Sequence, residues 1–128
     1  MASGTIHTAG EFYSTIINGD LSVGHGASGN VGLSLTVPAG TYIVTIICKF
    51  YAINSGTSYV ACSLKGTPQL SDVTTNQASS QSGAQIPLQY TIVIKTTQET
   101  VISPHIVVSG ASDVTFFDSR SMQAVKIA

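Results

Sequence analysis

Apolar alternation is densest in Gly40–Ile53, GTYIVTIICKFYAI. At a period of two, Tyr42, Val44, Ile46, Cys48 and Phe50 fall on one face and Ile43, Thr45, Ile47, Lys49 and Tyr51 on the other. Neither set is a solvent face. A strand apolar on both sides needs two partners, a core on one side and a second body on the other. The Tyr42 set is the more uniformly apolar and is expected in the core. That leaves Ile43, Thr45, Ile47 and Tyr51 as a stripe that an isolated sandwich would expose, a liability natural sheets avoid. Lys49 and Lys95 share its parity and belong at the rim, where an ammonium reaches water.

The remaining chain is read the same way. Thr5–Ile17 alternates weakly around Phe12, Tyr13, Ile16 and Ile17, giving one or two short strands before the Asn18-Gly19-Asp20 turn. Gly24–Asn30, GHGASGN, is loop, and Val31–Val37 alternates cleanly as a half-exposed strand. Ser58–Lys65 follows the turn near Gly56 and buries Val60, Cys62 and Leu64. Ser71–Gly83 offers Val73 and little else to a core, so it is a long polar surface connection with room for one short edge strand. Pro87–Thr97 returns to strand with Leu88, Tyr90, Ile92 and Ile94 inward. Thr100–Ser109 is expected to pair back on it as a hairpin, at an edge or bulged where Pro104 lacks a donor. Val114–Phe117 and Met122–Ile127 complete the set. Roughly eight to ten short strands without a helical period predict an all-β, two-sheet antiparallel jelly-roll sandwich, with residues 1–128 forming one domain.

Composition sharpens this picture. Charged residues make up 9% of the 128 and the net charge is −1, which gives no basic footprint for nucleic acid. Ser and Thr carry the polar surface, and no apolar run is long enough for a spanning helix, so membrane insertion is not expected either. The first ten residues lack a basic start followed by an apolar stretch, an expectation of synthesis without export. Cys48 and Cys62 sit in strands, and a turn near Gly56 makes a bridge between them conceivable in register. Buried free thiols are the stronger reading.

Candidate chemistry is sparse. His7, His25 and His105 are far apart, without His-x-His or Cys-x-x-Cys spacing, so no metal site is expected. No Gly-x-Ser-x-Gly elbow singles out a serine, and no Lys follows the Gly24–Asn30 loop to make it a phosphate cradle. The acids lie mostly at turns, where they cap the local backbone; calcium at such turns is a minority reading. No catalytic residue, cofactor or metal is assigned.

Three stretches carry a resemblance. Val37-Pro38-Ala39-Gly40-Thr41-Tyr42-Ile43-Val44 is similar to the Gly-x-Tyr entry into the central strand of the tumour necrosis factor and complement globular-head superfamily. Ile92–Val101 resembles its penultimate hairpin, with Gln98-Glu99 where the family usually has Gly-Asp. Ser119–Ala128, SRSMQAVKIA, resembles the closing strand beside a threefold axis, as in small phage virion versions of the fold. The resemblance implies a homotrimer whose inner sheets meet on the axis, with Val93 joining the stripe and Met122 or Ala124 contributing from the closing strand. The expected role is a non-enzymatic trimeric virion module, a head decoration or tail-fibre tip. Its partners would be other virion proteins or a host surface receptor, glycans included. The alternative is a lectin-like domain holding sugar in the loops Ser71–Gly83 and Gly24–Asn30, with Tyr13, Tyr51, Tyr59 or an exposed Phe for stacking in the absence of Trp.

Overall fold

The structure, a computed structural model, describes residues 11–128, which places His7 outside it. The strands are β1 (Phe12–Asn18), β2 (Leu21–Val23), β3 (Ser28–Gly29), β4 (Leu35–Val37), β5 (Gly40–Ala52) and β6 (Thr57–Thr67). They continue as β7 (Asn76–Gln81), β8 (Ile86–Thr96), β9 (Thr100–Gly110), β10 (Val114–Phe116) and β11 (Ser119–Lys126). They form two antiparallel sheets packed as a jelly-roll sandwich, with no helix among the described residues. In the first sheet β8 pairs with β5 from Gly40 to Phe50, and the opposite edge of β5 is shared by β11 and β10. β1 extends this sheet beyond β11, and β2 beyond β10. In the second sheet β9 is central, flanked by β6 and then β7 on one side and by β4 and β3 on the other.

The core is what the alternation demands. Tyr42, Val44, Ile46, Cys48 and Phe50 of β5 are sealed against Val60, Cys62, Leu64, Ile102, Ile106 and Val108 of the second sheet. Two expectations fail for one reason. β8 and β9 do not pair as a hairpin: the link Thr97–Glu99 carries the chain from the first sheet to the second. Their buried sets, Leu88, Tyr90, Ile92 and Ile94 against Ile102, Ile106 and Val108, thereby face each other instead of lying side by side. β5 and β6 likewise belong to opposite sheets, so Cys48 and Cys62 are not register neighbours in a hairpin. Both are buried free thiols.

Pro104 lies in a central strand, neither at an edge nor on a bulge. It pairs across to Leu64, and its other side falls between the residues that meet β4 and those that meet β3, where no ladder needs its missing donor. Val31–Val37 is strand only from Leu35, because Val31 and Gly32 both adopt positive φ and turn the chain. The buried guanidinium of Arg120 holds that turn, donating from Nε to the Val31 carbonyl at 3.1 Å and from Nη1 to the Gly19 carbonyl at 2.8 Å.

Loops at one end are knitted by buried serines. Ser58 Oγ donates to the Ser112 carbonyl at 2.6 Å and accepts from the Ser112 N–H at 3.1 Å, while Ser112 Oγ accepts from the Asn54 N–H. Gly110 (φ +101°) is required beside them, since a Cβ there would lie 2.5 Å from the Thr57 carbonyl oxygen. Ser58→Ala leaves a buried N–H and C=O unpaired, at a cost of about 1–3 kcal/mol. Thermal melting should show a lowered midpoint with cooperativity retained. Burial pushes both thiols up to about 12, so they stay protonated near neutrality. Thiol titration should find neither Cys48 nor Cys62 until the protein is denatured.

Candidate functional site

Pairing register places the outward side chains of β1, β11, β5 and β8 in rows across the first sheet. One row is Phe12, Val125, Ile43 and Val93, apolar on all four strands. The next is Ser14, Gln123, Thr45 and Thr91, polar on all four. A third holds Ile16, Ser121, Ile47 and Gln89; beyond it Asn18 pairs with Ser119, and Lys49 with Pro87. Phe12, Ile16, Ile43, Ile47 and Val93 are 58, 62, 36, 46 and 59% exposed. Single exposed hydrophobics are ordinary, but five on one sheet face form a patch that calls for a partner.

Ile43, Thr45, Ile47, Tyr51 and Val93 therefore share the outer face. Met122 and Ala124 do not: both are fully buried in the core. The register of β11 on β5 pairs Met122 with Ile46 and Ala124 with Val44, which are core residues themselves, so their parity is inward. The outward positions of β11 are Ser121, Gln123 and Val125. Phe12, Ile16 and Val125 are members of the face that sequence reasoning missed. The spacing Phe12, Ser14, Ile16 carried the signal, but only pairing to β11 shows which way it points.

Charge is confined to the margins of the rows. Lys49 Nζ lies 3.0 Å from Asp118 Oδ2 and 5.4 Å from the Phe117 ring centroid, which in turn packs 5.6 Å from Tyr51. Lys95 pairs across to Thr41 beyond the apolar row. No group of three or more metal-ligating side chains occurs among the described residues.

The loops of the lectin-like alternative gather few groups. Tyr13 turns inward, packs edge-on to Tyr42 and donates to Glu11; Tyr51 and Tyr59 lie on strands of different sheets. The Gly24–Asn30 loop is clasped at its start, where Asp113 Oδ1 accepts from the His25 N–H at 2.9 Å and sits 2.7 Å from His25 Nδ1. Beyond it a cleft of about 240 Å³ is lined by Leu21, Val23, Val31, Ile106 and the 28–32 backbone, with no aromatic platform.

No protein-family model matches the chain, and no curated protein matches it in sequence. Among solved structures, it is similar over 94% of its length to an infectious bursal disease virus Gx strain chain (TM-score 0.56, 16% identity), of which it covers 38%. A particle structure of the same virus gives a TM-score of 0.57 at 15% identity, covering 94% of this chain and 36% of that one. The Eiger TNF of S. frugiperda aligns over 91% of this chain and 93% of its own (TM-score 0.53, 13% identity). The fold is a jelly roll. At these identities the likeness extends to the fold alone.

Asp113 provides a prediction. The backbone and ring donors of His25 hold its carboxyl below the ordinary value, which is about 3.9 for a free Asp side chain. A depressed folded value contributes above the unfolded one and is lost as pH falls through the folded one. NMR amide exchange should show the His25 N–H protected from pH 7 to below the ordinary carboxylate value and released only as the carboxyl protonates, with Asp113→Ala releasing it at pH 7.

Proposed function

We propose that the chain is a non-enzymatic, self-associating β-module of a virion that assembles as a trimer through the outer face of the first sheet. The observation that carries this reading is the apolar row Phe12–Val125–Ile43–Val93, reinforced by Ile16 and Ile47. Full burial of such a side chain contributes about 1.5–3 kcal/mol; at about half exposure the five exposed ones contribute roughly 4–8 kcal/mol per protomer. Association costs are of similar size, so the whole face must engage. The jelly-roll likeness to chains of viral particles and to a TNF supports a role in assembly, as a head decoration or fibre tip facing other virion proteins or a host receptor.

A wild-type chain at micromolar concentration should scatter light as a trimer. Ile47→Asp places an unpaired charge in the seam and should give monomers or aggregate, whereas Ser34→Asp, exposed just before β4, should be silent. A wild type with the mass of one chain, or an Ile47→Asp protein that stays trimeric, would refute the assignment.

A further inference from the structure

We infer that the polar row Ser14–Gln123–Thr45–Thr91 sets the register and copy number of the assembly. The inference rests on the reading of this face as a contact between copies of the chain. The row lies directly beside the apolar belt, with the Ile16–Ile47 row on its other side. Among the described residues, none of the side-chain hydrogen bonds engages Ser14, Thr45, Thr91 or Gln123, although donors and acceptors elsewhere are repeatedly paired. Thr91, Gln123 and Ser14 are exposed and Thr45 is half-buried, so their hydroxyls and amide point at whatever covers the sheet.

Banding across the strands identifies the occupant. In a rotational assembly whose axis runs along β5, equivalent residues of every copy lie at one height. Belt then meets belt, and polar row meets polar row. A hydroxyl and a carboxamide each carry both donor and acceptor, so this row is its own complement. Sliding one copy by two residues, about 6.7 Å along the strand, presses the Thr45–Gln123 row onto the Phe12–Ile43 belt. That buries hydroxyls and amides against hydrocarbon without partners. An all-apolar face has no such penalty and accepts several registers. A lone polar position inside an apolar seam fixes register and stoichiometry in this way in coiled coils, at some loss of affinity.

The test uses the full chain and native mass spectrometry at micromolar concentration. Wild type should show one stoichiometry. Thr45→Val combined with Gln123→Met should bind at least tenfold more tightly and distribute over more than one stoichiometry, whereas Thr45→Ser, which keeps the hydroxyl, should retain one. Should the double variant precipitate, cross-linking decides. Chains carrying Thr45→Cys are mixed with chains carrying Ile43→Cys, and the two thiols of neighbouring copies are joined by oxidised glutathione, which is reduced as each disulfide forms. Same-height packing gives 45–45 links at least tenfold above 45–43 links. Absence of the 45–45 product, a statistical share of 45–43, or a single stoichiometry in the double variant overturns the register role. Ile47→Asp separates the two levels: if it stays assembled, the contact reading itself fails, and if it dissociates while the double variant keeps one stoichiometry, only the register role fails.

Discussion

The structure depends on β5 being buried on one face and left open on the other. Its thirteen residues pair along both edges, with β8 on one side and β11 and β10 on the other, so the strand cannot twist or slip without breaking three ladders. A one-residue slip would exchange Tyr42, Val44, Ile46, Cys48 and Phe50 for Ile43, Thr45, Ile47, Lys49 and Tyr51. The second set includes an ammonium and two hydroxyls that the core cannot satisfy, while the first contains nothing that needs water apart from the Tyr42 hydroxyl. That hydroxyl donates to the Pro38 carbonyl at 2.7 Å. Polar chemistry on one face alone therefore locks the register of the central strand, and with it the direction in which Ile43 and Ile47 point.

Closure of the sandwich follows from the short links. Thr97–Glu99 and the Gly56 turn both cross between sheets, so β8 and β9, like β5 and β6, contribute to opposite walls of the core. Crossings leave loop ends with backbone groups that neither sheet pairs, and these are satisfied by side chains rather than ladders. Ser58 and Ser112 serve the Thr57 and Ala111 end, Ser80 accepts from the Ala52 N–H, and Arg120 serves Gly19 and Val31. Arg120 is a buried cation with carbonyl oxygens as its hydrogen-bond partners. Such a buried charge is tolerable because two backbone carbonyls accept hydrogen bonds from it.

Most of the core was legible because a period of two exposes it directly. The inward and outward sets of β5 and the inward set of β8 read correctly from Gly40–Ile53 and Pro87–Thr97. What alternation cannot convey is which strand lies beside which. A three-residue link between two alternating strands looks the same whether it closes a hairpin or crosses a sandwich, which is why β8 and β9 were expected to pair. Orientation of β11 was obscured by Arg120, whose charge sits in the buried set with Met122 and Ala124, so that neither alternate set looked plainly inward. The outer face was legible in its middle, at Ile43 and Ile47, and not at its flanks. Phe12 and Ile16 join it through the register of β1 on β11, a property of two strands that neither sequence carries by itself.

Scarcity of charge links this face to the remainder of the molecule. Charged side chains are 9% of the sequence, and within the rows of the outer face they are Lys49 and Lys95, both at the margins. Natural sheets commonly protect an exposed surface with inward-pointing charges or lysines at the edge, which keep copies apart by repulsion and by the cost of desolvation. Here those devices leave the middle of the sheet free, and the polar row that interrupts the apolar rows is uncharged. Uncharged hydroxyls and amides are cheap to bury when matched and costly when mismatched, so in the proposed assembly they would discriminate between arrangements of two copies without forbidding contact. A surface built to remain solvated would put its charges where this one has Thr45 and Gln123. In the proposed assembly, neutral self-complementary groups at the centre and charge at the rim would let the face select among ways of meeting its copies, where a charged centre would keep them apart.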